Sequence, residues 1–522
     1  MEPEPLDPRA IGFMRRNLAM LRQTPMSVVL AGLILLASIY FPRFMFKSQM
    51  ARFPLILEHL SSEQRRARFL VGAKALYKDG SQKFRGMAYR MQTLDEQQIV
   101  LPLSALTELR KAPEEVLSFY DMFSKGLEET YTYVDIKFLP EVVDTIKRDL
   151  TPKLTKITSK ICDEVDAALD TYLPSHGKWT EINVSKTALD IIAKVSAHLF
   201  IGGDVANDPG YLECTKNFTV HLGEATRAIK VTRVWLRPFL APRLPEVKRL
   251  LETRTKLRSY VKRVIEEREA KIKNPDWVPP DDMMQWLLDR ADRQKDTLED
   301  CTAAQVLLIL GTINASMQTL IAILHTLAVT PEYVEPLREE IRNTLNSDGS
   351  IPVSAMKEFG KMDSYFKEVG MHFPVIIEPY FRRVRKGFTL SNGQYLPPGV
   401  AIVIANPLVT DSKYDTFDGF RHYKLREASA QKDKPNHRWL IANETEFRWG
   451  YDNHVCPGRF YAHNLLKIIF GRIVENYDIK MPGNVEGIEA RYPMVEHGNV
   501  VMEPRDKPLL LRRVKSHQGH VD

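Results

Sequence analysis

The side chain best placed to do chemistry is the thiol of Cys456, which lies in the stretch FRWGYDNHVCPGRF from Phe447 to Phe460. Pro457 is typical of a first helical turn, and apolar residues recur at helical spacing from Phe460 to Ile469. The pattern predicts a loop that holds the thiol at a helix N-terminus, where backbone N–H groups and the helix dipole favour a thiolate. Such a thiolate is a ligand for haem iron, because it donates electron density that helps to cleave an O–O bond. The alternative is that Cys456 is a small buried apolar side chain, as most lone cysteines are.

The stretch around Cys456 resembles the cysteine-ligand loop of the cytochrome P450 family, in particular its fungal microsomal members. That loop has an aromatic residue seven positions before the cysteine, a basic residue two before it, and Pro-Gly-Arg after it. These positions are Trp449, His454 and Pro457-Gly458-Arg459 in this chain. Asp452 stands where the family has a glycine. Because Asp also enters the left-handed backbone region, we expect the turn to survive the replacement.

A second informative run extends from Thr302 to Thr330 and contains no charged side chain other than a possible charge on His325. Its length would allow a second membrane span. Polar residues such as Asn314 and Gln318 interrupt its middle, however, and polar groups are costly at bilayer depth. The run therefore predicts a long helix buried through the centre of a large domain.

In the cytochrome P450 family, which this chain resembles, the corresponding helix crosses over the haem. It carries an acid or His followed by a Thr, and these residues relay protons. The aligned residues here are Asn314 and Ala315, with Ser316 next. Asn can orient a water molecule but cannot itself titrate in the useful range. Either Ser316 and ordered water replace the missing hydroxyl, or the reaction needs no activated dioxygen. A third interpretation is that Asn314 and Ser316 only hydrogen-bond within a kinked buried helix.

A helix predicted to end before Pro374 contains Lys-Glu-Val-Gly-Met at residues 367–371. It occupies the place of the family's Glu-x-x-Arg, with Glu368 present and Met371 where Arg is expected. The resemblance implies that Glu368 pairs with Arg421. One guanidinium can neutralise a buried carboxylate with two hydrogen bonds, so we expect this pair to support the cysteine loop, more weakly than in the family. The alternative is that Glu368 is a solvated helix residue.

Two strands are predicted at residues 380–384 and 399–406, separated by a turn at Asn392-Gly393. They resemble the family's small sheet beside the haem, where an Arg often meets a haem propionate. Arg382, Arg383 and His454 are the candidates for that contact. Ordinary surface salt bridges are the alternative for the two arginines.

Composition excludes several classes of protein. The four cysteines among the 522 residues, Cys162, Cys214, Cys301 and Cys456, are far apart, which argues against a disulfide framework or a zinc cluster. The formal net charge of +7 is mild and is not concentrated in Lys/Arg runs, so nucleic acid is not an expected partner. An anionic membrane face or an acidic redox partner is compatible with it.

The N-terminal region predicts a membrane anchor. Residues 1–22 form a mixed-charge tail, residues 23–42 carry no charge and are long enough to span a bilayer, and residues 43–56 contain a proline and are interpreted as a linker. A cleaved signal peptide is the alternative, but the apolar run lies far from the N-terminus and no small-residue cleavage site follows it. The resemblance implies a single-pass anchor in the endoplasmic reticulum membrane with the catalytic domain facing the cytosol.

Residues 57–522 are interpreted as one mainly helical domain with small β-sheets. A capping box at Ser61 and Gln64 predicts its first helix, which Gly80 is expected to end, and a β-hairpin is predicted around Asp95-Glu96. The resemblance implies the cytochrome P450 fold with a haem cofactor.

The function that the resemblance implies is a haem-thiolate monooxygenase that inserts one oxygen atom from dioxygen into an apolar small molecule. A terpenoid-like intermediate of fungal secondary metabolism is the expected substrate, and an NADPH-dependent flavoprotein reductase the expected electron source. Cys456 is the implied iron ligand, Ser316 and Asn314 are candidate oxygen-side groups, and Glu368 and Arg421 are expected to support the loop.

Two other classes stay open. One is a haem-thiolate isomerase, dehydratase or cyclase that works without a reductase, suggested by Asn314 and Ala315. The other is a degenerate, non-catalytic relative, suggested by Met371 and Asp452, because both replace residues that secure the haem.

Overall fold

The computed structural model describes residues 26–290, 297–347, 349–352, 354–410, 416–430, 434–444 and 446–514. The expected tail at residues 1–22 and the start of the expected anchor at residues 23–25 lie outside the described residues.

Helices make up most of the described chain. Those of seven or more residues are α1 (Met26–Ala51), α2 (Ser62–Lys83), α3 (Phe119–Gly126), α4 (Leu139–Thr145), α5 (Thr151–Tyr172), α6 (Val184–Phe200), α7 (Pro209–Val231), α8 (Pro245–Lys271), α9 (Met283–Arg290), α10 (Thr297–Leu327), α11 (Val334–Arg342), α12 (Gly360–His372), α13 (Arg421–Ala428) and α14 (Arg459–Asn476). Single helical turns lie at Leu106–Leu109, Glu129–Thr132, Arg237–Leu240, Ala355–Glu358 and Pro407–Thr410. The predicted mainly helical class is confirmed.

The strands are short and form small sheets, as predicted. They are β1 (Tyr89–Gln92), β2 (Gln97–Val100), β3 (Leu117–Ser118), β4 (Thr180–Asn183), β5 (Tyr380–Val384), β6 (Phe388–Thr389), β7 (Tyr395–Leu396), β8 (Ala401–Ile404), β9 (Tyr477–Lys480), β10 (Val495–His497), β11 (Val500–Met502) and β12 (Pro508–Arg513). The largest sheet has the order β1-β2-β8-β5-β3, a second has the order β4-β12-β9, and two hairpins, β6-β7 and β10-β11, complete the set.

The largest sheet contains the predicted elements and positions two arginines. The hairpin β1-β2 is present, and β5 pairs antiparallel with β8. Arg382 and Arg383 are neighbours on β5, so their side chains leave opposite faces of the sheet. The two arginines therefore have different environments, and only one of them can be available to an anion in a cavity on one face of the sheet.

The apolar N-terminal helix is longer than expected. α1 runs past the expected end at Pro42 to Ala51, and residues from Leu30 to Ala51 are apolar enough to span a membrane. Proline removes one N–H donor but does not prevent later residues from continuing the helix. The expected linker is corrected accordingly, because its first part is helical and Met50 and Phe53 are buried in an apolar cluster of the domain.

The central helix α10 confirms the prediction of a buried helix. It runs without a break from Thr297 to Leu327. Its most apolar stretch is 67% buried inside the protein. It packs against α4, α6, α7, α8, α9, α12 and α14. A helix that is apolar on most sides can be buried either in lipid or in the core of a large domain, and α10 is buried in the core.

The first helix of the domain begins as predicted but does not end where predicted. Ser61 and Gln64 form both hydrogen bonds of the capping box. α2 continues through Gly80 to Lys83. Gly80 is buried under the ring of Tyr89, and a Cβ at this position would lie 2.4 Å from that ring. The glycine therefore permits close packing rather than terminating the helix.

A buried charge cluster joins α12 to α14, the helix that follows the cysteine. Asp363 Oδ1 lies 2.7 Å from Lys467 Nζ and 3.1 Å from His463 Nε2. Burial alone would raise the pKa of Asp363, but Lys467 and His463 hold it well below its usual range. The cluster is thus an ion pair at neutral pH, with the Lys467 side chain only 1% exposed.

We expect Asp363→Asn to reduce the free energy of unfolding by about 3–5 kcal/mol, because Lys467 would keep a buried charge without a counter-charge. Adding Lys467→Met should recover most of that loss, since an apolar side chain of similar length needs no partner. Denaturant unfolding of the parent, single and double variants measures this. A double variant no more stable than Asp363→Asn would contradict the expectation.

Candidate functional site

The loop before α14 holds Cys456 with its sulfur at the helix N-terminus. Cys456 N donates to Trp449 O over 2.6 Å, and the Arg459 guanidinium donates to Cys456 O over 2.9 Å. Burial raises the pKa of the thiol, while backbone N–H groups of Gly458 and Arg459 hydrogen-bond to the sulfur and oppose that rise. These donors prepare the site for a thiolate, particularly one bound to a cation.

The helix begins later than the sequence indicated. α14 starts at Arg459, and Pro457 and Gly458 form the turn before it. The turn is needed because the N–H groups of Gly458 and Arg459 bond to the sulfur rather than to a helical carbonyl. Pro457 has no N–H to satisfy in this position.

Two residues of the loop have left-handed backbone conformations. Gly450 has φ 83°, and a Cβ there would lie 2.4 Å from His454 O. Asp452 has φ 55°, and its Oδ1 accepts a hydrogen bond of 3.0 Å from Arg110 Nε. The expectation that Asp452 can replace glycine in this turn is confirmed, because the backbone adopts the left-handed conformation there.

Glu368 is fully buried and lies at the centre of a polar cluster whose other members are partly exposed. Arg421 Nε donates to its two carboxylate oxygens over 3.1 and 3.2 Å, and Asp418 N donates over 3.0 Å. His372 Nε2 lies 3.2 Å from the same carboxylate. Glu368 is 0% exposed, so the alternative of a solvated helix residue is wrong. The structure brings Glu368 and Arg421 together in the geometry that the sequence suggested.

Met371 occupies the expected arginine position and contacts a histidine instead. Its Sδ lies 3.0 Å from His422 Nε2, and both side chains are buried. Burial, with Lys367 and Arg448 nearby, lowers the pKa of His422 to about 2. His422 is therefore neutral at physiological pH, and its approach to Glu368 is not an ion pair.

The middle of α10 carries an exposed stripe although most of the helix is buried. Gly311 and Ala315 are exposed, Asn314 and Thr319 are partly exposed, and a Cβ on Gly311 would meet no atom within 4 Å. Because α10 is surrounded by other helices, including α14, we interpret this stripe as the border of an open space inside the domain. Small residues at a spacing of four keep that space clear.

The two predicted oxygen-side residues differ in position. Asn314 lies on the open side of α10, whereas Ser316 is only 4% exposed. In the described part of the chain neither side chain forms a hydrogen bond, so the interpretation that both bond within a kinked helix is wrong. Thr319 was missed, although it follows Ala315 at the helical spacing of four and its hydroxyl donates to Ala315 O over 2.9 Å.

A cavity of about 410 Å³ lies on the other side of the loop, with Arg382, His454, Lys147 and Glu114 in its wall. Arg382 is 6% exposed, and no described carboxylate lies within ion-pair distance of its guanidinium. Arg383, by contrast, makes two hydrogen bonds of 2.9 and 2.6 Å to Glu96. The structure therefore favours Arg382 over Arg383 as the residue available to a bound anion.

His454 lies beside Arg382 and is held by stacking. Its ring is 4.7 Å from that of Phe119, and burial together with Arg382 lowers its pKa to about 4. Nε2 is 3.5 Å from Glu114, whose carboxylate also accepts N–H groups from Phe119 and Tyr120 at the start of α3. A neutral His454 can donate a hydrogen bond but adds no charge to the cavity.

These residues fit haem. The Cys456 sulfur with two N–H donors suits an iron ligand, the clear stripe on α10 leaves space, and the buried Arg382 guanidinium lacks the anion that a propionate would supply. A buried guanidinium without an ion-pair partner is costly, although Arg382 does donate to Phe381 O, so the cavity is better matched to an anionic group than to water alone.

Comparison with known proteins agrees with this fit. A family model described as cytochrome P450 matches residues 143–505. Cytochrome P450 monooxygenase TES1 of Alternaria alternata is 97% identical over the full length of both chains. Cytochrome P450 monooxygenase braC of Annulohypoxylon truncatum is 29% identical over 86% of this chain and 90% of that protein, and an ent-kaurene oxidase of Fusarium fujikuroi is 26% identical over 80% of each.

We expect Gly450→Ala to disrupt the cysteine loop, because the new Cβ would collide with His454 O and a left-handed backbone disfavours alanine. The haem-to-protein ratio after purification and the thermal midpoint should both fall. Gly223→Ala is the control, since Gly223 lies within α7, away from the cysteine loop, and its Cβ would meet nothing within 4 Å. Equal haem retention by the two variants would contradict the steric argument.

We expect His422 to make stability depend on pH. Its pKa of about 2 lies below the ordinary value of 6.5, so the unfolded chain takes up the proton first as pH falls. The stabilisation is complete above pH 6.5 and is lost as pH falls toward the folded pKa. Between pH 6.5 and about 4, the parent should lose about 1.4 kcal/mol per pH unit relative to His422→Leu. Denaturant unfolding at several pH values measures the difference, and parallel curves would contradict it.

Proposed function

This chain belongs to the cytochrome P450 family, and we propose from that premise and from its site that it oxidises an apolar small molecule at a haem held by Cys456. It is a haem-thiolate enzyme of the monooxygenase class. The observation that carries the assignment of the ligand is the Cys456 sulfur at the α14 N-terminus, with two backbone N–H donors directed at it.

The chain's own residues would hold the haem from two sides. Cys456 binds the iron, and the Arg382 guanidinium and the neutral His454 ring bind the propionates from the cavity wall. Glu368 and Arg421 fix the segment before the loop, because the carboxylate is buried and the guanidinium binds both of its oxygens. When bound, the haem supplies dioxygen activation and oxygen-atom transfer.

Proton handling on the α10 side falls to small polar groups. Asn314 faces the open space and can orient a water molecule with its amide. The Ser316 hydroxyl has no hydrogen-bond partner among the described residues, so it is available to a second water. Thr319 adds a hydroxyl one turn farther along the same stripe. Ordered water between these groups would take the place of the missing Thr hydroxyl at position 315.

The proposed substrate is terpenoid-like, in a fungal secondary-metabolite pathway. The α10 stripe presents no charged side chain to the open space, which favours an apolar ligand. The relatives named ent-kaurene oxidase act on a compound of that class, and the relatives compared above are fungal. Catalytic-domain residues from 57 onward would form this pocket.

We further propose an NADPH-dependent flavoprotein reductase as electron donor and the endoplasmic reticulum membrane as location, with the catalytic domain on the cytosolic side. α1 supports a membrane anchor, because residues from Leu30 to Ala51 are long and apolar enough to cross a bilayer and are not buried. Lipid would then surround the first part of α1.

A second candidate function is a haem-thiolate isomerase, dehydratase or cyclase that needs neither reductase nor dioxygen. The observation that favours it is Ala315, which leaves no hydroxyl at the position where the family has its proton-relay Thr. The two candidates differ in their requirement for electrons.

We expect membranes that contain the parent protein to show a red-shifted, thiolate-type band in the reduced, carbon-monoxide-bound spectrum, and Cys456→Ser to lose it. With ent-kaurene and related terpene hydrocarbons under labelled dioxygen, a product heavier by one labelled oxygen atom should appear only with NADPH and reductase. Turnover without reductase would favour the second candidate. Absence of a haem band in well-expressed parent protein would exclude both.

A further inference from the structure

The residue at position 371 does not connect α12 to the cysteine loop. The Met371 side chain is 4% exposed, and its sulfur faces His422 on α13. A thioether cannot donate a hydrogen bond, so it cannot bind the carbonyl groups of the segment that precedes Cys456. If α12 is tied to that segment, another side chain must form the contact.

Lys367 lies one helical turn before Met371, on the same side of α12. It is 2% exposed, its Nζ donates to Asn436 O over 2.8 Å, and it forms an ion pair with the Glu446 carboxylate. Asn436 and Glu446 both belong to the irregular segment that leads to Cys456. A single ammonium group therefore joins α12 to two separate points of this segment.

The same carboxylate closes a ring of contacts back to α12. Glu446 Oε1 accepts a hydrogen bond of 2.7 Å from Arg448 Nη2, and Arg448 Nη1 donates to Lys367 O over 3.1 Å. The guanidinium reaches the helix because Gly370 lacks a side chain, since a Cβ there would lie 2.6 Å from Arg448 Nη1. Lys367, Glu446 and Arg448 thus hold the start of the cysteine loop against one face of α12.

The buried ammonium is costly, which indicates a specific role. Burial lowers the pKa of Lys367, and Glu446 opposes that shift. Lysine is rarely fully buried unless it is paired, and an unpaired partner left behind would destabilise the protein. An apolar residue would pack at lower cost if position 367 only filled space.

We propose that Lys367 replaces the missing guanidinium at position 371 as the positioning residue that fixes the cysteine loop on α12. The spacing of four places both residues on the same side of α12, and the long lysine side chain covers the distance of one turn. Glu368, the next residue, holds Arg421 on a different side of the helix, so adjacent residues anchor two parts of the segment. The inference rests on the proposed role of Cys456 as iron ligand.

The test compares Lys367→Met, Lys367→Met with Met371→Arg, and the control Lys361→Met in full-length protein. Lys361 lies on the same helix but pairs at 3.9 Å with Glu339, away from the loop. We expect Lys367→Met to lower the haem-to-protein ratio and the thiolate-type share of the carbon-monoxide spectrum several-fold. The arginine introduced at position 371 should restore both, and Lys361→Met should leave both at the parent level.

A second readout does not depend on bound haem. Trypsin cleavage after Arg438 and Arg448 in haem-free protein should be several-fold faster in Lys367→Met than in the parent and the Lys361→Met control. Parent-like spectra and cleavage in Lys367→Met would overturn the inference, as would a loss that arginine at position 371 fails to restore. A parent without a thiolate-type band would overturn the proposed function, while the cleavage rates would still decide the role of Lys367.

Discussion

The rest of the site depends on keeping one partly buried sulfur atom ready to carry negative charge. Burial raises the pKa of Cys456, and the compensation comes from two N–H groups at the start of α14 and from the nearby Arg459 charge. Those donors point at the sulfur only when the turn through Pro457 and Gly458 has one shape. A backbone shape so constrained has to be held from outside the loop.

α12 supplies that support through charged side chains that contact two different parts of the segment before Cys456. Glu368 binds Arg421, and the preceding Lys367 binds Glu446 and Asn436 O. A second buried carboxylate on the helix, Asp363, reaches Lys467 on α14. The pairs with Arg421, Glu446 and Lys467 are ion pairs that each have at least one buried partner, so each costs desolvation and is geometrically strict. Such contacts fix the orientation of the helix more than they add stability.

Patterns confined to one element were predictable from the residues alone. The contact between Glu368 and Arg421 was expected from the family resemblance, whereas other contacts between elements were not predicted. The capping box at Ser61, the apolar run of α10 and the left-handed tolerance of Asp452 follow from local chemistry and were confirmed. The packing role of Gly80 depends on a ring from β1, and the choice between the arginines of β5 depends on Glu96. No pattern in one segment contains that information. Thr319 could have been found as a candidate site residue, because it follows Ala315 at the helical spacing of four and so lies on the same side of α10.

The apolar cluster shared by α1 and the cysteine loop has a mechanical consequence. Met50, near the end of α1, belongs to the same cluster as Phe447 and Tyr451, with Phe46 packed against it. The last turns of α1 therefore pack against the part of the domain that carries the cysteine loop. In a bilayer, the tilt of α1 from the membrane normal would then influence how the cysteine loop is oriented relative to the lipid headgroups.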